Sequence, residues 1–252
     1  MKYIKNNISV CLATYNGEKY IKEQIDSILP ELKEGDELLI LDDCSNDNTV
    51  NLINSYLFDV RIKLILNNTN LGHVQTFNKL IYLAKNEYIF LSDQDDIWME
   101  NRVFNLINSL QNSEALLVSS NTIFIDSKGN IIEYPTDGVN SKYSNHNYKN
   151  IIDIFIGKEN YYGCTMAFKK ELKELILPIP HYVESHDLWI AMAANIMNSN
   201  LHYDNTSLKR RVHGENASIV SRDIYLKLWS RVVFIRSMFH LIIRKLIIKL
   251  VK

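Results

Sequence analysis

Glu87-Tyr88-Ile89-Phe90-Leu91-Ser92-Asp93-Gln94-Asp95-Asp96 is the stretch on which the fold turns. Its first half is aromatic and aliphatic, the composition of a strand. Its second half sets three carboxylates within four positions, so acids gather where a hydrophobic strand ends. Like charges that close repel unless something positive lies between them. A hard divalent cation with oxygen ligands, bridging to phosphate, meets that need. Asp93 and Asp95 form an Asp-x-Asp pair, which an extended backbone points the same way. Taken alone, the motif is equally a solvated acidic turn.

Working outward toward the N-terminus, the acidic stretch closes a regular alternation. Residues 8–13 are a short apolar run, read as a buried strand, and Thr14-Tyr15-Asn16-Gly17 breaks it. Residues 18–29 carry Tyr20, Ile21, Ile25, Ile28 and Leu29 at helical spacing, and Pro30 ends the helix. A second strand over 37–41 runs into Asp42-Asp43-Cys44-Ser45; residues 45–47 supply a cap and 49–57 a helix. A third strand spans 62–66, a polar turn 67–72, a helix 74–84 and a fourth strand 88–91. Strand and helix in strict alternation predict a parallel sheet covered by helices. In such sheets ligands bind outside the carboxyl ends of the strands. Three of the four strands end in polar clusters there: Thr14-Tyr15-Asn16, Asp42-Asp43 and residues 93–96.

Toward the C-terminus the pattern is less regular. Residues 98–110 read as helix and 115–125 as strand, closed by a turn over 126–130. Residues 133–150, rich in Tyr, Asn and Ser, read as a long loop of the kind that carries function. Residues 162–168 enter a further strand. Glu184-Ser185-His186-Asp187 opens a helix that runs to residue 197, with Asp187 readable as its cap. Lys209-Arg210-Arg211-Val212-His213 precedes Gly214-Glu215-Asn216.

A chain of 252 residues can bury a real core. Its net charge of −1 argues against a nucleic-acid partner. The three cysteines, Cys11, Cys44 and Cys164, form no Cys-x-x-Cys pair. They suggest neither zinc nor a disulfide framework and fit a reducing compartment. No apolar core of signal-peptide length follows the N-terminal lysines.

In this order, the clusters resemble the family 2 nucleotide-sugar glycosyltransferases. The matching pieces are residues 9–16, residues 42–49, Asn70-Leu71-Gly72 with Asn78, and Asp93-Gln94-Asp95-Asp96. Gly163-Cys164-Thr165, His186-Asp187-Leu188-Trp189 and Arg211-Val212-His213-Gly214-Glu215-Asn216 follow. The form of these motifs is similar to that of bacterial rhamnosyltransferase-like members. The resemblance implies a GT-A fold, Rossmann-like and α/β, with a mostly parallel central sheet and helices on both faces. It implies that Ala13, Thr14, Tyr15 and Asn16 hold the base and ribose, and that Asp43 accepts from a pyrimidine N3–H. Asp95 would bind Mn2+ or Mg2+, with Asp93 near both ribose and metal. Asp187 would be the catalytic base, and His186 an orienting or structural neighbour. His213 would close over the diphosphate and complete the metal site. Arg211 suits bidentate phosphate contact, which Lys cannot make. Asp96, Trp98 and Trp189 are candidates for acceptor binding, the tryptophans equally for core packing.

The implied reaction is an inverting transfer from a UDP- or dTDP-sugar donor to a hydroxyl of a growing bacterial surface glycan, free or lipid-linked: capsule, O-antigen or cell-wall polysaccharide. The loop over 133–162 would set the sugar and acceptor. The alternative is a non-catalytic nucleotide-sugar-binding partner subunit of the same fold. A sugar nucleotidyltransferase would carry a glycine-rich basic loop after the first strand, and Thr14-Tyr15-Asn16-Gly17-Glu18 is neither.

Beyond the catalytic domain at 1–220, residues 221–252 read as a basic amphipathic helical tail. Its apolar side includes Leu226, Trp229, Val232, Phe239, Leu241 and Leu246; its basic side includes Arg222, Lys227, Arg231, Arg236, Arg244, Lys245, Lys249 and Lys252, against one acid, Asp223. No apolar run reaches the roughly 20 residues that span a bilayer. Such a helix fits an anionic membrane surface, which predicts a cytoplasmic protein held at the inner face of the cell membrane. Packing on the domain or on a homodimer partner is the other reading.

Overall fold

A computed structural model describes residues 7–136, 138–158, 161–213 and 224–251. The Gly214-Glu215-Asn216 element, the 220/221 domain boundary, Arg222, Asp223, Lys252 and residues 1–6 lie outside the described residues.

The N-terminal half alternates as its sequence predicts: β1 (Ile8–Thr14), α1 (Ile21–Ile28), β2 (Glu37–Asp42), α2 (Thr49–Asn54), β3 (Ile62–Leu66), α3 (His73–Leu83) and β4 (Tyr88–Ser92). Then come β5 (Ile97–Trp98), α4 (Arg102–Gln111), β6 (Leu117–Ile125), α5 (Asn147–Ile156), β7 (Met166–Lys169), α6 (Lys173–Ile176), α7 (His186–Ile196), β8 (Asn200–Arg211) and α8 (Ile224–Val251). The strands form one sheet in the order β3-β2-β1-β4-β7-β6-β8-β5. Four of the seven pairings are parallel, so the sheet is mostly parallel as expected.

That order explains where a ligand can sit. The chain winds outward from β1 to β2 and β3, then crosses back through α3 to lay β4 on the other side of β1. The crossovers above and below the sheet diverge at β1 and β4, which opens a crevice at their carboxyl ends. Thr14 and Ser92 are the last residues of those two strands.

Period-two alternation assigns the strand side chains to two cores. Val10, Leu12, Leu38, Ile40 and Phe90 pack against α1, α2 and α4 on one face. Cys11, Leu39, Leu41, Ile89 and Leu91 pack against α3 and α7 on the other. A fully buried side chain of this size contributes about 1.5–3 kcal/mol, so both helical layers are held by the same strands.

The differences from the sequence reading have local causes. α1 starts three residues late because residues 17–20 form a turn, with the Tyr20 amide donating to Gly17 O at 3.0 Å. α4 starts at Arg102 because Trp98 is drawn into β5, pairing with Leu208. The long loop over 133–150 contains the first turn of α5. β8 is a strand that the sequence gives no period for: it pairs with β6 through a register shift at Ser120 and Asn121, which interrupts the alternation.

α8 packs on α6 and α7 through Val233, Ser237 and Leu241. Two basic residues expected on its free side turn inward instead. Arg244 donates to Leu175 O at 3.1 Å and Pro178 O at 2.7 Å, and Lys245 to Ile196 O at 2.6 Å. They satisfy carbonyls at the ends of α6 and α7, a favourable place for a cation. The opposite side of α8 is apolar and exposed, with Leu228, Trp229, Val232, Ile235, Phe239, Ile243, Leu246 and Leu250 in a stripe. Among the described residues no helix is long and apolar enough to cross a membrane.

Candidate active site

The crevice floor is built by loops stitched to one another. Gln94 Oε1 accepts from Thr14 Oγ1 at 2.7 Å and from the Tyr15 amide at 2.8 Å, and its Nε2 donates to Tyr15 O at 3.1 Å. The non-acidic member of the Asp-Gln-Asp-Asp motif thus clamps the β1 loop to the β4 loop. A Cβ on Gly17 would lie 2.4 Å from Gln94 Oε1, so this clamp requires glycine. Asn16, with φ 48°, donates its amide to Ser45 Oγ at 2.8 Å and accepts from the Asn46 amide at 2.8 Å. Asn16 therefore holds the β1 and β2 loops together. Tyr15, 43% exposed, leaves a ring face open at the mouth.

Asp42 and Asp43 differ in task. Asp42 accepts from the Ser45 amide at 2.9 Å and caps its own loop. Asp43 is buried and accepts from Asn67 Nδ2 at 2.8 Å, the Leu71 amide at 2.9 Å and the Gly72 amide at 2.8 Å. Three donors fix the loop before α3, two on Oδ1 and one on Oδ2.

The acids after β4 separate into two groups. Asp95 Oδ2 lies 2.8 Å from His213 Nε2. Asp93 and Asp96 meet Cys164, with one ligand atom from each within 4.8 Å of the others. Burial raises the Asp93 carboxyl well above the usual carboxylate range, and Asp96 and Asp95 push it the same way. Burial and Asp95 raise Asp96 likewise. Asp96 Oδ1 accepts from the Arg211 amide at 3.0 Å, while its buried Oδ2 has no hydrogen-bond partner beyond the weak thiol donor beside it.

Crowded carboxylates, one with an orphaned oxygen, fit a hard divalent cation. Asp93, Asp95 and Asp96 are the carboxylates that would hold it, with His213 beside Asp95 as expected; Cys164, a soft donor whose thiol burial keeps protonated, would not. Asp96 is thereby corrected: it was expected to face an acceptor, but it is 2% exposed and tied to β8.

Arg211 is also corrected. It was expected to reach phosphate, yet its side chain is 2% exposed. Nε donates to Asp95 O at 2.9 Å, Nη1 to Asp126 O at 3.2 Å and Nη2 to Glu23 Oε2 at 2.6 Å, and the guanidinium lies 4.5 Å from the Tyr20 ring centre. Nε, Nη1 and Nη2 are thus each engaged with protein groups. The cations that serve the cluster are Arg210 and Arg102. Arg210 sits beside Asp93, Asp96 and Asp187 with its guanidinium 4.0 Å from the Tyr162 ring centre. Arg102, fully buried behind Asp96, donates to Cys164 O at 2.6 Å and to Ser207. Neighbours on a strand face opposite ways, so Arg210 and Arg211 part, and the register of β8 against β6 decides which of them meets the acids.

Asp187 stands across the crevice in the first turn of α7. Ser185 is the N-cap, its Oγ accepting from the Leu188 amide at 3.3 Å, and Asp187 Oδ1 accepts from the same amide at 2.8 Å. The cap is thus Ser185 rather than Asp187. Asp187 is still partly open to solvent but deep enough that desolvation raises its pKa, against the pull of the Leu188 amide, His73 and Arg210. His186 points away. It stacks on Phe77 at 4.0 Å, its nitrogens have no partner, and burial lowers its pKa to about 3, so it is a neutral packing group.

Both tryptophans belong to the core. Trp189 is 1% exposed and donates Nε1 to Ile176 O at 2.9 Å. Trp98 is buried against Phe90, with Arg102 over its ring at 4.8 Å. Neither can meet an acceptor, which corrects both expectations; their large apolar area is what the two cores needed.

The glycosyl transferase family 2 model matches residues 9–176. The chain therefore belongs to glycosyl transferase family 2. It is 30% identical over 194 residues to an uncharacterized glycosyltransferase of Methanocaldococcus jannaschii, covering 75% of this chain and 65% of that one. It is 33% identical over 166 residues to the dTDP-rhamnosyl transferase RfbG of Shigella flexneri, covering 64% and 54%. The chain spans 65%, 44% and 54% of the lengths of the first three curated relatives. Among solved structures, S. aureus TarS 1-349 in complex with UDP superposes with a TM-score of 0.66 at 18% identity, covering 94% of this chain and 65% of that one. The mannosyltransferase PcManGT of Pyrobaculum calidifontis, in complex with GDP-Man and Mn2+, gives 0.61 at 16% identity, covering 96% and 74%. These likenesses establish the GT-A fold.

Proposed function

We propose that this chain is an inverting, divalent-cation-dependent glycosyltransferase. It moves a sugar from a UDP- or dTDP-sugar to a hydroxyl of a growing bacterial surface glycan, such as a capsule, O-antigen or cell-wall polysaccharide. The observation that carries this reading is one juxtaposition. Asp187, its pKa raised by burial, faces the Asp93–Asp96 cluster across the crevice at the ends of β1 and β4. A carboxylate of raised pKa takes a hydroxyl proton more readily at neutral pH than an ordinary one does.

In this reading Tyr15 lies against the base, and Asp43 Oδ2 accepts from the pyrimidine N3–H. Asp93, Asp95 and Asp96 would hold the cation, which would supply Lewis-acid stabilisation of the departing diphosphate. Arg210 adds positive charge beside it. Asp187 removes the acceptor proton as the oxygen attacks from the face opposite the leaving group, which inverts the anomeric centre. The relatives that carry transferase names support the reaction class, and the similarity to RfbG supports a dTDP-sugar. Calorimetric titration of UDP and dTDP with Mn2+ present and chelated tests the donor half. Binding of either nucleotide that strengthens with Mn2+ supports it; absence of binding by both refutes it.

The same proposal places the chain at the inner face of the membrane through α8. From 224 to 251 the sequence holds no acid and six basic residues; Arg244 and Lys245 turn inward, which leaves Lys227, Arg231, Arg236 and Lys249 to accompany the exposed stripe. Deleting the tail would uncover Leu241, which is fully buried, so substitution is the cleaner test. Changing Trp229, Phe239 and Leu246 together to Ser should abolish co-sedimentation with anionic vesicles and leave the thermal midpoint unchanged. Attraction of about 1 kcal/mol per surface Lys or Arg, screened by salt, should also make wild-type binding weaken as salt rises. Undiminished vesicle binding by the triple variant would mean that the stripe is not the anchor.

A further inference from the structure

A second cavity opens where β6 meets Ile132, Tyr134, Thr136, Gly138 and Val139, with a volume of about 310 Å³. This is near the low end of the roughly 300–1,000 Å³ of small-ligand pockets, room for one ring and not for a nucleotide. Phe124 and Tyr134 stack in it at 4.3 Å and 20°, and Tyr162 meets Phe124 edge-on at 6.1 Å and 82°. Ile132 and Thr136 add to the wall, and among the described residues that line it none is charged.

The wall is already in place. Asn121 Oδ1 accepts from the Val139 amide at 2.7 Å and its Nδ2 donates to Val139 O at 3.0 Å. Gly138, at φ +66°, brings the loop so close that a Cβ there would lie 2.3 Å from Asn121 Oδ1. The cavity also adjoins the crevice. Tyr162, which lines it, carries the Arg210 guanidinium on its ring at 4.0 Å, and Arg210 stands beside Asp93, Asp96 and Asp187. The next residue, Gly163, contacts Asp187 through its backbone.

We propose that this cavity is the subsite for a neutral sugar ring of the acceptor, with Tyr134 and Tyr162 as its aromatic walls. A pyranose presents axial C–H bonds on one face and hydroxyls at its rim. The first suits an aromatic face, and the second suits the Tyr and Thr136 hydroxyls. The role as acceptor site rests on the transferase reading; the affinity for a sugar ring does not.

Saturation-transfer NMR with methyl glycosides of glucose, mannose, N-acetylglucosamine and rhamnose tests it. At least one glycoside should receive saturation on its ring protons from the wild-type protein and from Tyr134→Phe. Tyr134→Ala, which removes the ring, and Ile132→Trp, which fills the cavity, should weaken that binding about tenfold. Absence of a wild-type signal from every glycoside, or an equal signal from both altered proteins, overturns the proposal. UDP titrated into the same samples separates the two readings: glycoside binding that obeys the variants without any nucleotide binding keeps the sugar subsite and removes the donor site. If Tyr134→Ala loses its circular dichroism spectrum, Ile132→Trp alone decides.

Discussion

Asp187→Asn should lower turnover by about 10²–10⁴-fold, the range a positioned general base contributes, with nucleotide affinity changed less than about twofold. The substitution is close to isosteric. The amide oxygen of Asn can still accept from the Leu188 amide, and Ser185 remains as the cap, so α7 should start where it does now. What is lost is the ability to hold a proton. Single-turnover kinetics with calorimetry reads both halves. A normal rate with normal affinity would reduce Asp187 to a helix-terminus group.

Asp93→Asn should stabilise the metal-free protein while removing Mn2+ binding and most of the activity. The raised pKa means that the native state binds the Asp93 proton more tightly than the unfolded chain does. Stability must then fall as pH rises from the ordinary carboxylate range toward about 8. Removing the charge removes that cost. Relief equivalent to even one pKa unit, about 1.4 kcal/mol, shifts the midpoint of a chain this size by about 3–6 °C. Differential scanning fluorimetry at pH 6 and pH 8 should show wild type losing stability with pH and regaining it with Mn2+, and the variant losing less, because only the raised Asp96 carboxyl of the cluster remains, and regaining nothing with Mn2+. A variant less stable than wild type at pH 8, or one still stabilised by Mn2+, would contradict the assignment.

Much of this site is legible in the sequence because parallel α/β sheets collect loop chemistry at one edge. The clusters at Thr14, Asp43 and Asp93 can be read as neighbours from strand order alone, and the sheet joins them there. Three features are not legible. Arg211 and Arg210 are adjacent and chemically alike, and only the register of β8 against β6 decides which faces Asp93. Trp98 and Trp189 have the composition of sugar-binding residues, but whether an aromatic ring lines a pocket or fills a core depends on packing across the sheet. Residues 133–150 have no period, so the aromatic cavity formed by Tyr134, Tyr162 and Phe124 depends on long-range pairing that no local pattern encodes.

The central claim is that the crevice at β1 and β4 cleaves a sugar nucleotide with the help of a cation. It is tested most directly by incubating the full chain with a panel of UDP-, dTDP- and GDP-sugars and measuring nucleoside diphosphate release. Release from at least one UDP- or dTDP-sugar, present with Mn2+ or Mg2+, abolished by chelator and restored by readdition of the ion, is the predicted result. Release from none of the panel, or release that chelator does not affect, would contradict it.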